Sequence, residues 1–249
     1  MSLQRERTLI LVLLLILTAA SWTVLIWQSS TANGMGMGMG AALFLAIWVV
    51  MMIAMMFPTA APMILVFARV QRDRGSFEWA FMTICVFVGA YLLIWTLFGG
   101  LLYLGALAAS GLAQQIPWIM MNAARIGGGI LVLAGPYQLT PLKRVCLAKC
   151  CTPLDFIHGG WRDGFTGTFR MGLEHGIYCL GSNWLLCALL FPLGIMNITV
   201  MTVLTVLIFA EKMSPRGERI AQGVGLALIL SGMLVIVMPA TLELRLALM

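Results

Sequence analysis

Six cysteines, two histidines and nineteen methionines among 249 residues are the side chains that could hold a soft metal ion. Cys146, Cys150 and Cys151 form the tightest group, with His158 seven residues beyond the last of them. Thr140-Pro141 just ahead of them is a helix start, Thr as N-cap and Pro at the first helical position. A short helix over 142–151 follows, ending before Pro153. On it Cys146 and Cys150 are four residues apart and share a face. Thiolate with imidazole suits Zn(II) or Cu(I). The same thiols would serve equally as small hydrophobes packed against a membrane face.

A second group lies in the apolar run after residue 170, where His175, Cys179 and Ser182 fall within about 60° on a helical wheel. Asn183 and Cys187 drift round the same side, and Glu174 precedes His175 near the start of the run. Ionisable groups within a membrane span usually face a bundle interior or a watery cavity. Glu174 could instead reach interfacial water or pair with Arg170 or Lys143. Polar glue between helices is the competing reading, and Gly172, Gly176 and Gly181 would allow the close approach it needs. Further along the chain's other polar positions, Asn122 and Arg125 precede Gly127-Gly128-Gly129. Arg125 would snorkel outward or bind an anion.

The methionines are the third signal. Met35, Met37 and Met39 alternate with glycine, and Met51, Met52, Met55 and Met56 form two Met-x-x-x-Met pairs one helical turn apart. Thioethers select Cu(I) and need no deprotonation. These short patterns look like those of high-affinity copper permeases. Methionine is also an ordinary gap-filler in apolar helices. Pro58 and Pro62 would kink the run and free carbonyls near a transport path.

The elements that must position these groups follow from composition. The chain is 61% hydrophobic and 10% charged, where a soluble domain carries about 25% charged residues. It reads as a polytopic membrane protein, all-α, because backbone groups in lipid must pair within their own segment. Seven apolar runs are long enough to span: 9–27, 41–66, 79–101, 118–138, 171–192, 195–213 and 220–240. Thirteen of fifteen Lys and Arg residues fall on alternate connections, and the intervening ones at 28–40, 109–117 and 193–194 carry no charge. That pattern places the N-terminus in the cytoplasm. The net charge of +6 is thereby explained without a nucleic-acid partner. The first run resembles a signal peptide but is longer than a usual one, so an uncleaved span is expected. The expectation is one integral domain over 1–249, with a cytoplasmic Cys-containing loop at 139–170. No cysteine falls on the outer side, so no disulfide framework is implied.

Three ordered blocks then carry a resemblance. The first is Trp48…Met51-Met52…Met55-Met56-Phe57-Pro58…Pro62. The second is Gly135-Pro136-Tyr137-Gln138…Pro141…Lys143…Cys146…Cys150…Pro153…Phe156. The third is Gly172…His175-Gly176…Tyr178-Cys179…Gly181…Trp184, followed by Leu190-Phe191 and Glu211-Lys212. Over roughly 41–230 the chain resembles bacterial domain-of-unknown-function family 2182, described as predicted metal-binding integral membrane proteins. The resemblance implies an inner-membrane helical protein with a metal site and no established reaction. Ser182-Asn183 stand where the family pattern usually has two cysteines, and Cys151 where an Arg is common. These departures move the expected metal site from the 171–192 run towards the loop thiols and the outer methionines.

Three functions remain open on these residues. The leading one is soft-metal handling, with copper as the metal: Met35, Met37 and Met39 capture Cu(I), His175 and Cys179 pass it on, and Cys146, Cys150 and Cys151 receive it. The second is an accessory or assembly subunit of a larger membrane complex or oligomer, docked through small-residue surfaces. The third is a membrane enzyme using Glu174, His175 and Cys179, although no nucleophile-elbow motif accompanies them. Phosphate-loop, dinucleotide and c-type haem motifs are absent, so ATP-driven and haem-bearing readings have no support.

Overall fold

The computed structural model describes residues 3–31, 40–195 and 197–238, and all regular structure within them is helical. In chain order the helices are α1 (Leu3–Thr31), α2 (Ala41–Arg74), α3 (Phe77–Gln115), α4 (Pro117–Met121), α5 (Ala123–Leu139), α6 (Pro141–Cys151), α7 (Pro153–Gly160), α8 (Gly164–Ala188), α9 (Leu190–Leu193), α10 (Ile198–Met213) and α11 (Gly217–Val237). The stops and starts are chemical. Ser76 and Asn197 accept backbone N–H bonds from Trp79 and Val200 as N-caps of α3 and α10, and prolines open α4, α6 and α7. Gly194 turns the chain between α9 and α10 at φ +95°, a conformation that side chains with a Cβ rarely adopt.

Among the described residues, five stretches are long and apolar enough to cross a membrane: Gln4–Ser30, Ala41–Arg74, Phe77–Gln115, Gly164–Leu193 and Gly217–Val237. The other two expected spans fall short. The run at 118–138 is divided at Asn122, leaving α5 with 17 residues, and the run at 195–213 becomes α10 with 16. At 1.5 Å per residue each is about 25 Å long, slightly under a typical hydrocarbon core of about 30 Å. The exterior is apolar, with Leu15, Leu97, Leu133 and Val206 all exposed, as fits a membrane protein.

The core forms around α2, which continues through Pro58 and Pro62. Trp48, Met51, Met52, Met55, Met56, Phe57, Met63 and Phe67 are all buried along it. The Trp48 indole donates to the Trp95 carbonyl at 2.8 Å and lies across Gly99, where a Cβ would clash with the indole ring. Glycine also sets the other contacts. Gly172 and Gly176 on α8 lie against the Phe87 and Tyr91 carbonyls of α3. Gly128 and Gly135 on α5 meet Gly232 and Gly225 on α11. With little hydrophobic drive between helices in lipid, such close backbone packing is what holds a bundle. On α1, Glu6 pairs with Arg72 of α2 at 2.9 Å.

The segment at 139–170 is folded into this bundle. It forms α6 and α7, and Lys143, Cys146, Leu147 and Cys150 of α6 are buried. Tyr137 donates its hydroxyl to the Gly181 carbonyl, and Gly181 leaves room for the Cys146 sulfur, which a Cβ there would meet at 2.7 Å. The Cys146 contact lays α6 along α8, and the Tyr137 bond ties the end of α5, from which α6 starts, to the same point of α8.

Candidate metal centre

The local helix expected at 142–151 exists. Thr140 caps α6 by accepting the Lys143 N–H at 3.3 Å, and the helix stops at Cys151. Its 3.6-residue period puts Cys146 and Cys150 inward and leaves Cys151 exposed. On α8 the same period turns His175, Cys179, Ser182 and Asn183 to one face, and all four are buried. Because α6 packs on α8, the buried Cys150 and Cys179 thiols come close enough to influence each other's ionisation.

Other elements complete the surroundings of that sulfur. Lys212, at the end of α10, donates from Nζ to Cys179 Sγ at 3.0 Å and to the Thr59 hydroxyl of α2 at 3.3 Å. The Tyr91 hydroxyl of α3 is 3.2 Å from the same sulfur. Asn183 Nδ2 donates to the Cys179 carbonyl and the Ser182 hydroxyl, both at 2.9 Å, and reaches Sγ at 3.9 Å. One sulfur thus receives groups from α3, α6 and α10, with an amide from its own helix.

His175 lies one turn before Cys179, stacked between Phe87 and Tyr91 with Phe156 edge-on, at centroid distances of 5.4 to 5.8 Å. Both its ring nitrogens are buried without a hydrogen-bond partner among the described residues, a costly arrangement for an imidazole. Beside the thiols, Lys143 Nζ and Glu211 Oε2 form an ion pair at 2.7 Å with both side chains buried. Cys151 donates to the Lys212 carbonyl at 3.4 Å.

The α6 thiols titrate above the ordinary range: Cys150 through the neighbouring Cys179 and then burial, Cys146 and Cys151 chiefly through burial of their sulfurs. Burial pushes Lys143 down, against the pull of Glu211. A thiol metal ligand must be deprotonated, so an arriving metal would displace protons here.

Residues 45–235 match the family model described as PpoB2, a copper chaperone. The chain belongs to this copper-chaperone family. No curated protein and no solved structure matches it. The matched stretch contains Thr59, Tyr91, Cys150, His175, Cys179 and Lys212, whereas Met35, Met37 and Met39 precede it.

Of the candidate ligands for copper, the structure brings together Cys150 and Cys179, with His175 beside them and Cys151 one residue away. Cys146 is buried at Gly181 on the same helix pair. His158 belongs to α7, its side chain outside the described ones. Met35, Met37 and Met39 lie outside the described residues. Met51, Met52, Met55 and Met56 are packed in the core. The remaining polar candidates are dispersed. Arg125 donates to Asn122 Oδ1 at 2.8 Å on the exposed start of α5. Glu174 pairs with Arg170 at 3.2 Å and Arg162 at 3.6 Å. Among the described residues no three His, Cys, Asp or Glu side chains are arranged as a metal cluster.

The residue missed by sequence reasoning is Lys212. Charge-pattern counting assigns it, with Lys143, to a solvated connection, but both are buried. Its signal was its place beside Glu211 at the end of an apolar run, which makes both charges costly unless partnered.

Proposed function

We propose that this chain is a membrane copper chaperone that holds Cu(I) as cargo between the Cys150 and Cys179 sulfurs. The observation that carries the reading is the meeting of these two thiols, from different helices, in a buried site. Two thiolates are a soft donor pair suited to Cu(I), whereas a structural Zn(II) takes four ligands. The unpartnered nitrogens of His175 offer a neutral donor one turn away. The resemblance to family 2182, described as predicted metal-binding, agrees with this reading. In its membrane setting the chain makes seven spans of the bacterial inner membrane, α5 and α10 being the two short ones. The N-terminus and α6 lie on the cytoplasmic side. The antiparallel glycine contacts between α5 and α11 support α5 as a span.

The test is metal content. Protein purified in detergent under reducing conditions and loaded with Cu(I) is expected to retain about one copper per chain, as a single soft-ligand pair would hold. Cys150→Ser and Cys179→Ser should each lose it, and the Met35/Met37/Met39→Leu variant should keep it. Metal-free wild-type protein after loading would sink the proposal and leave the accessory-subunit reading, to be pursued through co-purifying partners.

A further inference from the structure

Lys212 is nearly fully buried, and no carboxylate lies within ion-pair distance of it among the described residues. The only anion nearby in sequence, Glu211, is taken by Lys143. The Lys212 ammonium instead faces the Cys179 sulfur at 3.0 Å and a threonine hydroxyl at 3.3 Å. A buried charge is costly unless it is matched. What would match it is a site that becomes negative by one when loaded.

Cu(I) between two thiolates is such a species. Two thiolates contribute −2 and Cu(I) contributes +1, leaving −1 for the lysine to cancel. The other facing groups add nothing: the Lys143–Glu211 pair is neutral as a unit, and the Tyr91 phenol and His175 imidazole are neutral in their ordinary forms near pH 7. A divalent ion between the same thiolates gives a neutral complex and strands the ammonium, unmatched, beside it. Resting on the chaperone reading above, we propose that Lys212 is the counter-charge that makes this site select monovalent soft cations over divalent ones. It is a specificity-determining residue that touches the ligand sulfur rather than the metal.

The experiment compares Cu(I) and Cd(II) affinities, each against a competing chelator, in wild type, Lys212→Met, Lys212→Arg and Cys150→Ser/Cys179→Ser. Methionine keeps the length of the side chain and removes the charge, and arginine keeps the charge. Size-exclusion elution in detergent identifies any variant that has not folded. Lys212→Met should weaken Cu(I) roughly tenfold and strengthen Cd(II), lowering the Cu(I)-to-Cd(II) ratio by about tenfold to hundredfold, in the range of charge pairs buried at interfaces. Lys212→Arg should hold that ratio near the wild-type value. Equal weakening of both metals in Lys212→Met would assign the lysine a packing role and overturn the inference, as would loss of selectivity in Lys212→Arg. Copper retained in the double cysteine variant would overturn the site itself, in an arm where Lys212 is untouched.

Discussion

Lys143 of α6 and Lys212 at the end of α10 are both buried where the two helices meet, and the bundle treats them differently. Lys143 meets the Glu211 carboxylate at 2.7 Å, with neither side chain reaching solvent. Lys212, the next residue after that carboxylate, meets a sulfur and a hydroxyl. The first charge is cancelled within the fold. The second is only hydrogen-bonded, and its cancellation depends on the protonation and loading of Cys179. One lysine therefore ties α6 to α10, and its neighbour answers to cargo. A buried charge with a fixed counter-ion is architecture; one without is a site.

Removing copper altogether through Cys150 or Cys179 is the largest expected effect, and it bears only on the Lys212 half of this contrast. The Lys143 half is broken by Lys143→Met, which strands the Glu211 carboxylate. Its Oε1 already lacks a hydrogen-bond partner among the described residues. Breaking a buried pair from one side costs about 3–5 kcal/mol, measurable as a lowered unfolding midpoint in mixed micelles. Replacing both partners, Lys143→Met with Glu211→Leu, should recover most of that loss, because apolar groups of similar volume pack without a desolvation penalty. Copper bound per folded double variant should match wild type. A large copper defect there would mean the two lysines act as one network.

These two lysines also mark the limit of what the sequence made legible. The Thr140 cap, the inward faces of α6 and α8, and the tight approaches at Gly172, Gly176 and Gly181 all follow from local periodicity and residue size, and the structure has each of them. What periodicity cannot supply is which faces meet. Cys150 was legible as a loop thiol and Cys179 as a span thiol, and they appeared as rival sites. They became one site because α6 packs along α8 with Cys146 at Gly181, while Tyr137 at the end of α5 holds the Gly181 carbonyl. Lys212 was read by its position at a basic end, and position along a chain says nothing of burial. The departure at Ser182-Asn183 pointed the metal away from the span, yet Asn183 remains beside Cys179 as a donor.

The contrast sharpens at smaller scale around the sulfur. Tyr91→Phe removes the hydroxyl 3.2 Å from Cys179 without changing charge. A single hydrogen bond is worth about 0.5–1.5 kcal/mol, so Cu(I) affinity should fall by a few-fold. Cd(II) should fall in parallel, unlike its response to Lys212→Met. A change in the Cu(I)-to-Cd(II) ratio in Tyr91→Phe would shift the origin of selectivity from charge to hydrogen bonding.

The smallest effect expected is at Cys151, and its smallness is informative. Cys150 and Cys151 are adjacent on one helix, yet only Cys150 faces Cys179. Cys151 is exposed and donates to the Lys212 carbonyl at 3.4 Å, a bond that a serine hydroxyl can also make. Cys151→Ser should therefore leave Cu(I) binding unchanged. Although the residue is exposed, its sulfur is partly buried against the Lys212 carbonyl, and that desolvation holds the Cys151 thiol above the ordinary range. In metal-free protein its alkylation should thus be slow at neutral pH and accelerate only above the usual thiol value of about 8.5. Copper loading should protect Cys150 and leave that Cys151 profile in place. If copper instead protected Cys151 and Cys151→Ser released the metal, the pair that holds it would be on α6 alone, and Lys212 would lose its distinction from Lys143.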